Sequence, residues 1–265
     1  MTAIVMVPDK RVGLILGLRN TLTLAWRTLV QIKHNPFELF DFSVQPIMFL
    51  LLFTYVFGGA ISGSPGEYLK FGLSGIIVQN MLFATMNTGV GLNTDLTKGV
   101  FDRLRSLPIA RFSPLAGRIV ADVAKQTWAV GLLLGLGMIL GFRVGTGPLQ
   151  VLAAFGLLIV FALAASWMSV LVGMVVSAPE KVQIFGFVLL FPLTFASNAF
   201  APTATMPGWM QAWVKVNPVS ILADATRGLL VGGPVAGPVI QSLLWAGGLM
   251  VVFAPLAVWA FKRRV

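Results

Sequence analysis

The sequence predicts an all-α membrane protein, and two observations lead to that fold class. Hydrophobic residues make up 57% of the chain and charged residues only 11%, well below the share of about 25% that soluble globular proteins carry. Several apolar stretches are also close to the length of about 20 residues that a helix needs to cross the hydrocarbon core of a bilayer. We therefore interpret residues 1–265 as a single transmembrane domain.

Six stretches are long and apolar enough to be membrane spans. They cover residues 42–60, 71–92, 115–142, 149–176, 182–200 and 239–261. The third and fourth stretches exceed the minimum length, which a helix accommodates by tilting or by extending beyond the bilayer.

The distribution of basic residues predicts the orientation, because cytoplasmic loops carry an excess of Lys and Arg. With both termini inside, the outer segments keep only Lys70, Arg143, Lys215 and Arg227 of the 19 basic residues. We expect a multi-pass protein of the cell membrane with both termini in the cytoplasm. The net charge of +10 then indicates contact with anionic lipids rather than nucleic acid, because the cations lie in patches between spans.

Residues 12–34, before the first span, have the pattern of an amphipathic helix. Apolar residues recur every three or four positions, and polar residues gather on the other side. We expect this helix to lie in the membrane interface, with its apolar stripe among the acyl chains. Asn35-Pro36 should end it, because a residue before proline disfavours the helical conformation. The stripe consists of Ile15, Leu18, Leu22, Ala25, Leu29 and Ile32.

The connection between the fifth and sixth spans, residues 201–238, is too long for a turn and too apolar for a disordered linker. Pro207 and Pro218 divide it into short pieces. Trp209 suits the membrane interface, and Asn217-Pro218 is typical of a helix start. We predict two short re-entrant helices that cover the outer side of the protein.

The sequence carries no signature of an enzyme. It has no Gly-x-x-x-x-Gly-Lys-Ser/Thr phosphate loop, no cysteine and a single histidine, so we expect neither nucleotide nor metal bound to this chain. Ser166 and Ser169 are interpreted as helix-packing residues. The glycines of the third span are interpreted as close helix contacts, and they are Gly131, Gly135 and Gly137.

Polar residues inside predicted spans are costly and are often functional. Asn80 and Asn87 fall on one side of the second span together with Ala84. They either line a pathway or form hydrogen bonds between helices, and the sequence leaves both interpretations open. Asp122 lies between Arg118 and Lys125, at the spacing of ion pairs along a helix; a proton relay is the less favoured interpretation.

A short basic amphipathic segment lies between the second and third spans. Thr97 could cap a helix that Pro108 would end, and residues 97–108 would present an apolar ridge with cations beside it. Such a helix suits docking into a groove of a partner protein and could transmit a rigid-body shift to the attached spans. The ridge consists of Val100, Phe101, Leu104 and Leu107, with Arg103 and Arg105 beside it.

Several motifs in combination resemble the ABC-2 type exporter permeases, and within them the daunorubicin/doxorubicin-resistance permeases. They are the segment 98–118, Phe191-Pro-Leu-Thr-Phe-Ala-Ser-Asn198, Met206-Pro-Gly-Trp209, and Asn217-Pro-Val-Ser220 followed by Arg227-Gly228.

This resemblance implies a type V exporter fold and a transport subunit that dimerises with a second copy or a paralogue. It also implies two copies of a separate ATPase subunit, which would bind ATP and Mg²⁺. The coupling helix would be residues 99–107, and the site residues implied at this ATPase contact are Gly99, Phe101, Asp102, Arg103, Leu104, Arg105, Leu107 and Pro108.

The substrates that the resemblance implies are hydrophobic drugs such as anthracyclines, or complex lipids, moved outward by alternating access. The candidate pathway residues are Gln79, Asn80, Asn87, Phe195 and Asn198. Alternatives are export of a lipid or natural product, and a stand-alone proton-coupled carrier that depends on Asp122. A membrane scaffold or immunity protein without transport activity is a further alternative.

Overall fold

The structure is a computed structural model that describes residues 14–34, 36–100 and 113–264, without the side chains of residues 14–16, 31–42, 114 and 262. Every regular element in these ranges is helical. The α-helices are α1 (Leu14–His34), α2 (Pro36–Leu52), α3 (Gly58–Ser62), α4 (Pro65–Thr97), α5 (Ser113–Ile139), α6 (Pro148–Val175), α7 (Pro179–Phe195), α8 (Gly208–Val216), α9 (Pro218–Val231) and α10 (Ala236–Arg264).

The long helices run through a bundle with two distinct ends. Helices α4, α6 and α10 finish at the same end, near Lys98, Lys181 and Arg264, and α5 begins there. We call this the basic end. The loop at residues 140–147 lies at the opposite end, where Thr146 donates to the Leu229 carbonyl of α9 at 2.6 Å.

Helix α1 covers the predicted amphipathic segment and ends at His34, immediately before the Asn35-Pro36 pair. Leu18 and Leu22 are exposed, as a lipid-facing stripe requires, whereas Ala25 is buried. The buried side consists of small residues that pack against α5: a Cβ at Gly117 would come within 2.9 Å of the Leu24 Cβ. Helix α1 is therefore amphipathic and also packs closely against α5, because small residues permit close backbone approach.

The first apolar stretch is interrupted by a π-helical turn, Phe53–Phe57, between α2 and α3. The Thr54 side chain is buried in this turn, and its hydroxyl has no hydrogen-bond partner among the residues that the structure describes. The helical path ends at Ser62, where Gly63 adopts a positive φ of 78°. A glycine suits this position because a side chain disfavours left-handed backbone.

Helix α4 is the centre of the bundle. It is 33 residues long, considerably longer than the predicted span 71–92, and packs against α5, α6, α7 and α9. Glycines bring it into backbone contact with its neighbours: a Cβ at Gly75 would overlap the Ala199 carbonyl, and a Cβ at Gly89 would overlap that of Ser169. Gly137 of α5 contacts Leu73 of α4 closely, whereas Gly131 and Gly135 have open space beside them, so the close-contact interpretation is wrong for those two.

Five helical segments of the described chain are long and apolar enough to cross a membrane. They are Ser43–Ser62, Pro65–Thr97, Leu115–Ile139, Pro148–Val175 and Ala236–Phe261. They match five of the six predicted stretches, and the predicted third span ends earlier, at Ile139 instead of residue 142.

The predicted fifth span, residues 182–200, is shorter as a helix. Helix α7 has 17 residues and ends at Phe195, which corresponds to a length of about 26 Å at a rise of about 1.5 Å per residue. Residues 196–202 then form an irregular segment. The Asn217 side chain donates to the carbonyls of Leu193 and Ala196 at 2.8 and 3.1 Å. The C-terminal end of α7 is therefore capped by the residue that precedes α9.

The connection after α7 contains the two short helices α8 and α9 at the opposite end of the bundle. Pro207 precedes α8, which carries Trp209. Asn217 caps α9 by accepting a hydrogen bond from the Val219 amide at 2.9 Å, and Pro218 is the first residue of that helix. Most of α9 is buried against α4, α6 and α10, whereas the Trp209 side chain is 74% exposed.

Candidate functional site

A narrow open stripe runs along the middle of α4. From residue 72 to residue 93, all of which the structure describes, Asn87 is the only exposed residue, and Asn80, Phe83 and Val90 on the same side are half-buried. An amide facing hydrocarbon without a partner is unfavourable. The stripe is therefore suited to a wetted cavity or a second polypeptide rather than to lipid. Gln79, the third predicted polar residue of this helix, is buried inside the bundle.

A chain of aromatic rings connects this stripe to the opposite end of the bundle. Phe83 contacts Phe187 of α7 with ring centroids 6.1 Å apart. Phe195 stacks between two rings, with centroid distances of 4.3 Å to Phe191 and 5.0 Å to Phe200. Phe187 and Phe191 are 50% and 41% exposed. The rings present a continuous apolar surface that could stack on a planar compound.

Asn198 belongs to a charged cluster at the end of this aromatic chain. Its Nδ2 lies 2.9 Å from both carboxylate oxygens of Asp224. Arg227 pairs with Asp224 through Nη1 at 2.6 Å, donates through Nε to the Phe71 carbonyl at 3.1 Å, and stacks on the Phe71 ring at 3.9 Å. Burial lowers the pKa of Arg227 and the Asp224 carboxylate opposes this shift; an arginine remains protonated in either case.

A cleft of about 410 Å³ opens beside this cluster. The Asn198 side chain is buried, and within the described part of the chain its Oδ1 has no hydrogen-bond partner. Pro207, Trp209 and Pro218 are not among the lining residues. The lining residues are Asn198, Thr203, Val214, Lys215, Ile221, Asp224, Pro238 and Gln241.

The basic end has a charged network of its own. Arg118 bridges two helices, with its Nε 3.1 Å from Oδ2 of Asp122 on α5 and its Nη1 3.5 Å from Oδ2 of Asp95 on α4. Lys125 lies 3.9 Å from Asp122. Asp122 thus has both local partners that its spacing predicts, and the contact of Arg118 with Asp95 on another helix is additional. No cluster of three or more potential metal ligands occurs within the described ranges.

The predicted docking segment begins at this end and is described only in part. Helix α4 ends at Thr97, and Gly99 adopts a positive φ of 66°, which turns the chain. The remaining predicted residues of this segment lie outside the described residues. They are Phe101, Asp102, Arg103, Leu104, Arg105, Leu107 and Pro108.

Comparison with known proteins identifies the family. The model of the ABC-2 type transporter family matches residues 19–231. The chain belongs to the ABC-2 type transporter family. Such a permease is the membrane-embedded transport subunit of an ATP-binding-cassette transporter, which implies an ATP-binding partner.

Alignments with named permeases cover most of the chain. The permease is 44% identical to the daunorubicin resistance ABC transporter permease protein DrrB1 of Streptomyces coeruleorubidus, over 92% of this chain and 86% of the relative. It is 30% identical to the probable doxorubicin resistance ABC transporter permease protein DrrC of Mycobacterium tuberculosis, over 81% of this chain and 78% of the relative. It also matches the putative transport permease ycf38 of Cyanophora paradoxa at 27% identity, over 79% of this chain.

Sequence reasoning missed two features of this permease. Asp224 and Arg227 have the spacing of an ion pair along a helix, and that spacing was the available signal. The second is Asn93, whose Nδ2 donates to the carbonyls of Gly173 and Val176 on α6 and just beyond it, at 2.8 and 2.7 Å. No signal in the sequence connects residues 80 positions apart.

Proposed function

We propose that this permease is the transport subunit of an exporter that moves a hydrophobic or amphipathic compound, such as an anthracycline, out of the cell. Its similarity to a permease named for daunorubicin resistance, over 92% of the chain, is the observation that carries the proposal. Energy would come from a separate ATPase subunit in two copies, which supplies the ATP and Mg²⁺ sites. The proposed location is the cell membrane, with both termini in the cytoplasm and the basic end facing inward.

The open stripe of α4 is the proposed substrate pathway. Asn80 and Asn87 supply amides in the middle of a helix that otherwise faces protein, and Phe83 lies between them. Gln79 is not part of the proposed pathway, because its side chain is buried inside the bundle. The ring of Phe195 and the rings beside it would guide an aromatic compound toward Asn198 and the cleft.

A second copy, or a paralogue, would complete the pathway. In the single chain, both Asn87 and the rings of Phe187 and Phe191 are open to the surroundings of the bundle. A partner placed opposite would enclose them between two subunits, where polar groups can meet water or substrate instead of acyl chains. This arrangement also suits alternating access, because a pathway between subunits opens and closes as they move.

We propose six spans, with α7 and the irregular residues after it forming the fifth. Helix α7 is shorter than the hydrocarbon thickness of about 30 Å, but its exposed side is apolar, as a helix embedded in the membrane requires. The exposed residues include Ile184, Phe185 and Val188. Helices α8 and α9 would then be re-entrant elements that cover the outer side, with the exposed Trp209 at the membrane interface.

The segment 97–108 is the proposed contact with the ATPase. Its sequence has an apolar ridge with cations beside it, and it follows directly on α4, the most buried of the candidate spans. A displacement at this segment would act on the helix that carries the proposed pathway. The amphipathic helix α1 packs against α5 at the same end and would lie beside this contact.

Purification together with a candidate ATPase subunit, sought among the genes beside this one, tests the proposal. We expect the two proteins to co-purify and an anthracycline to stimulate ATP hydrolysis and accumulate in inside-out vesicles. Stimulation by lipids without stimulation by drugs would instead favour a lipid exporter. Uphill transport by the isolated permease, abolished by collapsing the proton gradient, would contradict the proposal and favour a proton-coupled carrier.

A further inference from the structure

Three helices finish together at the basic end, and their contacts converge on the end of α6. The last carbonyls of a helix have no partner within that helix. Here the carbonyls of Gly173, Met174 and Val176 are satisfied by side chains from two other helices. Asn93 of α4 bonds to the carbonyls of Gly173 and Val176, and Arg264 of α10 bonds to the carbonyls of all three residues.

The contact between α4 and α6 beside Asn93 is unusually close. A Cβ at Gly173 would lie 2.5 Å from the Gly89 carbonyl oxygen, and a Cβ at Gly89 would overlap the Ser169 carbonyl. Further along the same contact, the hydroxyls of Thr85 and Ser169 are 3.4 Å apart. The two helices therefore touch backbone to backbone around Gly89, and Asn93, one turn further along α4, closes this contact at the basic end.

We propose that Asn93 is a positioning residue for energy coupling, which ties the end of α4 to α6 and, through the carbonyls shared with Arg264, to α10. It lies one turn before Thr97, where α4 ends and the proposed ATPase contact begins. A displacement of that contact would move the ends of α4, α6 and α10 as one body. This inference rests on the proposed function of the segment 97–108.

The bonding pattern explains why an amide suits this position. One Nδ2 group offers two donors, and both are used on carbonyls that would otherwise lack a partner from α4. The arginine adds a positive charge at the C-terminal end of α6, where the helix dipole favours cations. Asn93 is fully buried, so water does not readily replace its two bonds.

The test compares variants in the reconstituted complex with the ATPase. Asn93→Leu removes both donors at similar volume, and Asn93→Gln retains them. Thr94→Val is the matched control, because the Thr94 hydroxyl bonds within α4 itself, to the Val90 carbonyl at 2.9 Å. The measurements are the amount of permease in the membrane, co-purification of the ATPase, ATP hydrolysis, and the amount of anthracycline transported per ATP.

We expect Asn93→Leu to bind the ATPase and hydrolyse ATP, but to lose transport per ATP by about fivefold or more. Asn93→Gln should recover part of the loss, and Thr94→Val should match the parent. Arg264→Met should show the same uncoupling, and the double variant should be no worse than either single one, because both residues act on the same carbonyls.

A distance measurement provides a readout that does not depend on transport. The chain has no cysteine, so spin labels at introduced cysteines are unique, and Thr97 and Val175 are exposed positions at the ends of α4 and α6. In labelled subunits diluted with unlabelled ones, the distance should stay the same with and without ATP. In Asn93→Leu it should change or broaden on ATP binding.

Each alternative outcome has a distinct meaning. Normal transport per ATP and an unchanged distance in Asn93→Leu would overturn the coupling role while leaving the proposed function intact. Absence of the ATPase from the parent preparation would overturn the proposed function and this inference with it. If Asn93→Leu does not accumulate in the membrane, Arg264→Met decides the question by the same readouts, and failure of both to accumulate would assign the two residues to folding.

Discussion

Arg227 and Asp224 form an ion pair on α9 in which Nη1 lies 2.6 Å from Oδ1, and the same guanidinium bonds to the Phe71 carbonyl of α4. The arginine side chain is 18% exposed and the aspartate side chain 43%. The pair therefore joins the short helix α9 to the central helix α4 of the permease, at the border of the cleft that Asn198 lines.

We predict that Arg227→Met lowers the stability of the folded permease by about 1–3 kcal/mol, because it leaves the Phe71 carbonyl without this donor and the half-buried Asp224 carboxylate without its cation. The measurement is thermal unfolding of the purified protein in detergent. Lys70→Met is the matched control: Lys70 and Glu67 form a pair with the same i,i+3 spacing at 2.7 Å, but both side chains are largely exposed. An unchanged unfolding temperature in Arg227→Met would contradict the structural role of the pair.

A second prediction concerns the close approach of α4 to the segment after α7. Gly75→Ala should greatly reduce the amount of folded permease in the membrane, because the new methyl group would overlap the Ala199 backbone carbonyl, which cannot rotate away. Gly135→Ala on α5 is the control, since a Cβ there meets nothing within 4 Å and alanine favours a helix over glycine. Equal accumulation of the two variants would be inconsistent with this packing.

A third prediction tests the open stripe of α4. Replacing Asn80 and Asn87 together with Leu should reduce drug-stimulated ATP hydrolysis and transport severalfold while leaving accumulation in the membrane unchanged, because the change removes the amides from the proposed pathway but breaks no hydrogen bond among the described residues. Val160→Leu, at an exposed apolar position of α6, is the control for added side-chain volume. Parental transport kinetics in the double variant would assign the two asparagines to packing or to the subunit interface.

A fourth prediction addresses the ATPase contact. Leu104→Asp should abolish co-purification of the ATPase while the permease still inserts into the membrane, because a carboxylate would replace an apolar group of the proposed ridge and would have to be desolvated on docking. Lys98→Gln, just before the ridge, should retain binding. Normal co-purification of Leu104→Asp would refute the docking role of this segment.

Features that depend on spacing within one helix could be predicted from the sequence. Asp122 has Arg118 and Lys125 as partners because residues three or four apart lie on the same side of a helix. Asn217-Pro218 begins α9 because an asparagine accepts from a free amide and proline suits the first turn. The contacts of the α5 glycines could not be predicted from spacing, since Gly137 makes a close contact and Gly131 and Gly135 do not.

The tertiary structure alone decided which side of each helix meets another helix. Asn80 and Gln79 are neighbours with similar side chains, yet one lies on the open stripe and the other is buried, because the rotation of α4 is determined by its glycine contacts with α6 and with Ala199. The same packing brings Asn93 to the end of α6 and Asn198 to Asp224. The sequence by itself determined the membrane class, the length of most spans and the local capping of helices, since these follow from apolar length and helical spacing. Contacts between distant residues depend on how the helices pack, which a pattern along one helix does not encode.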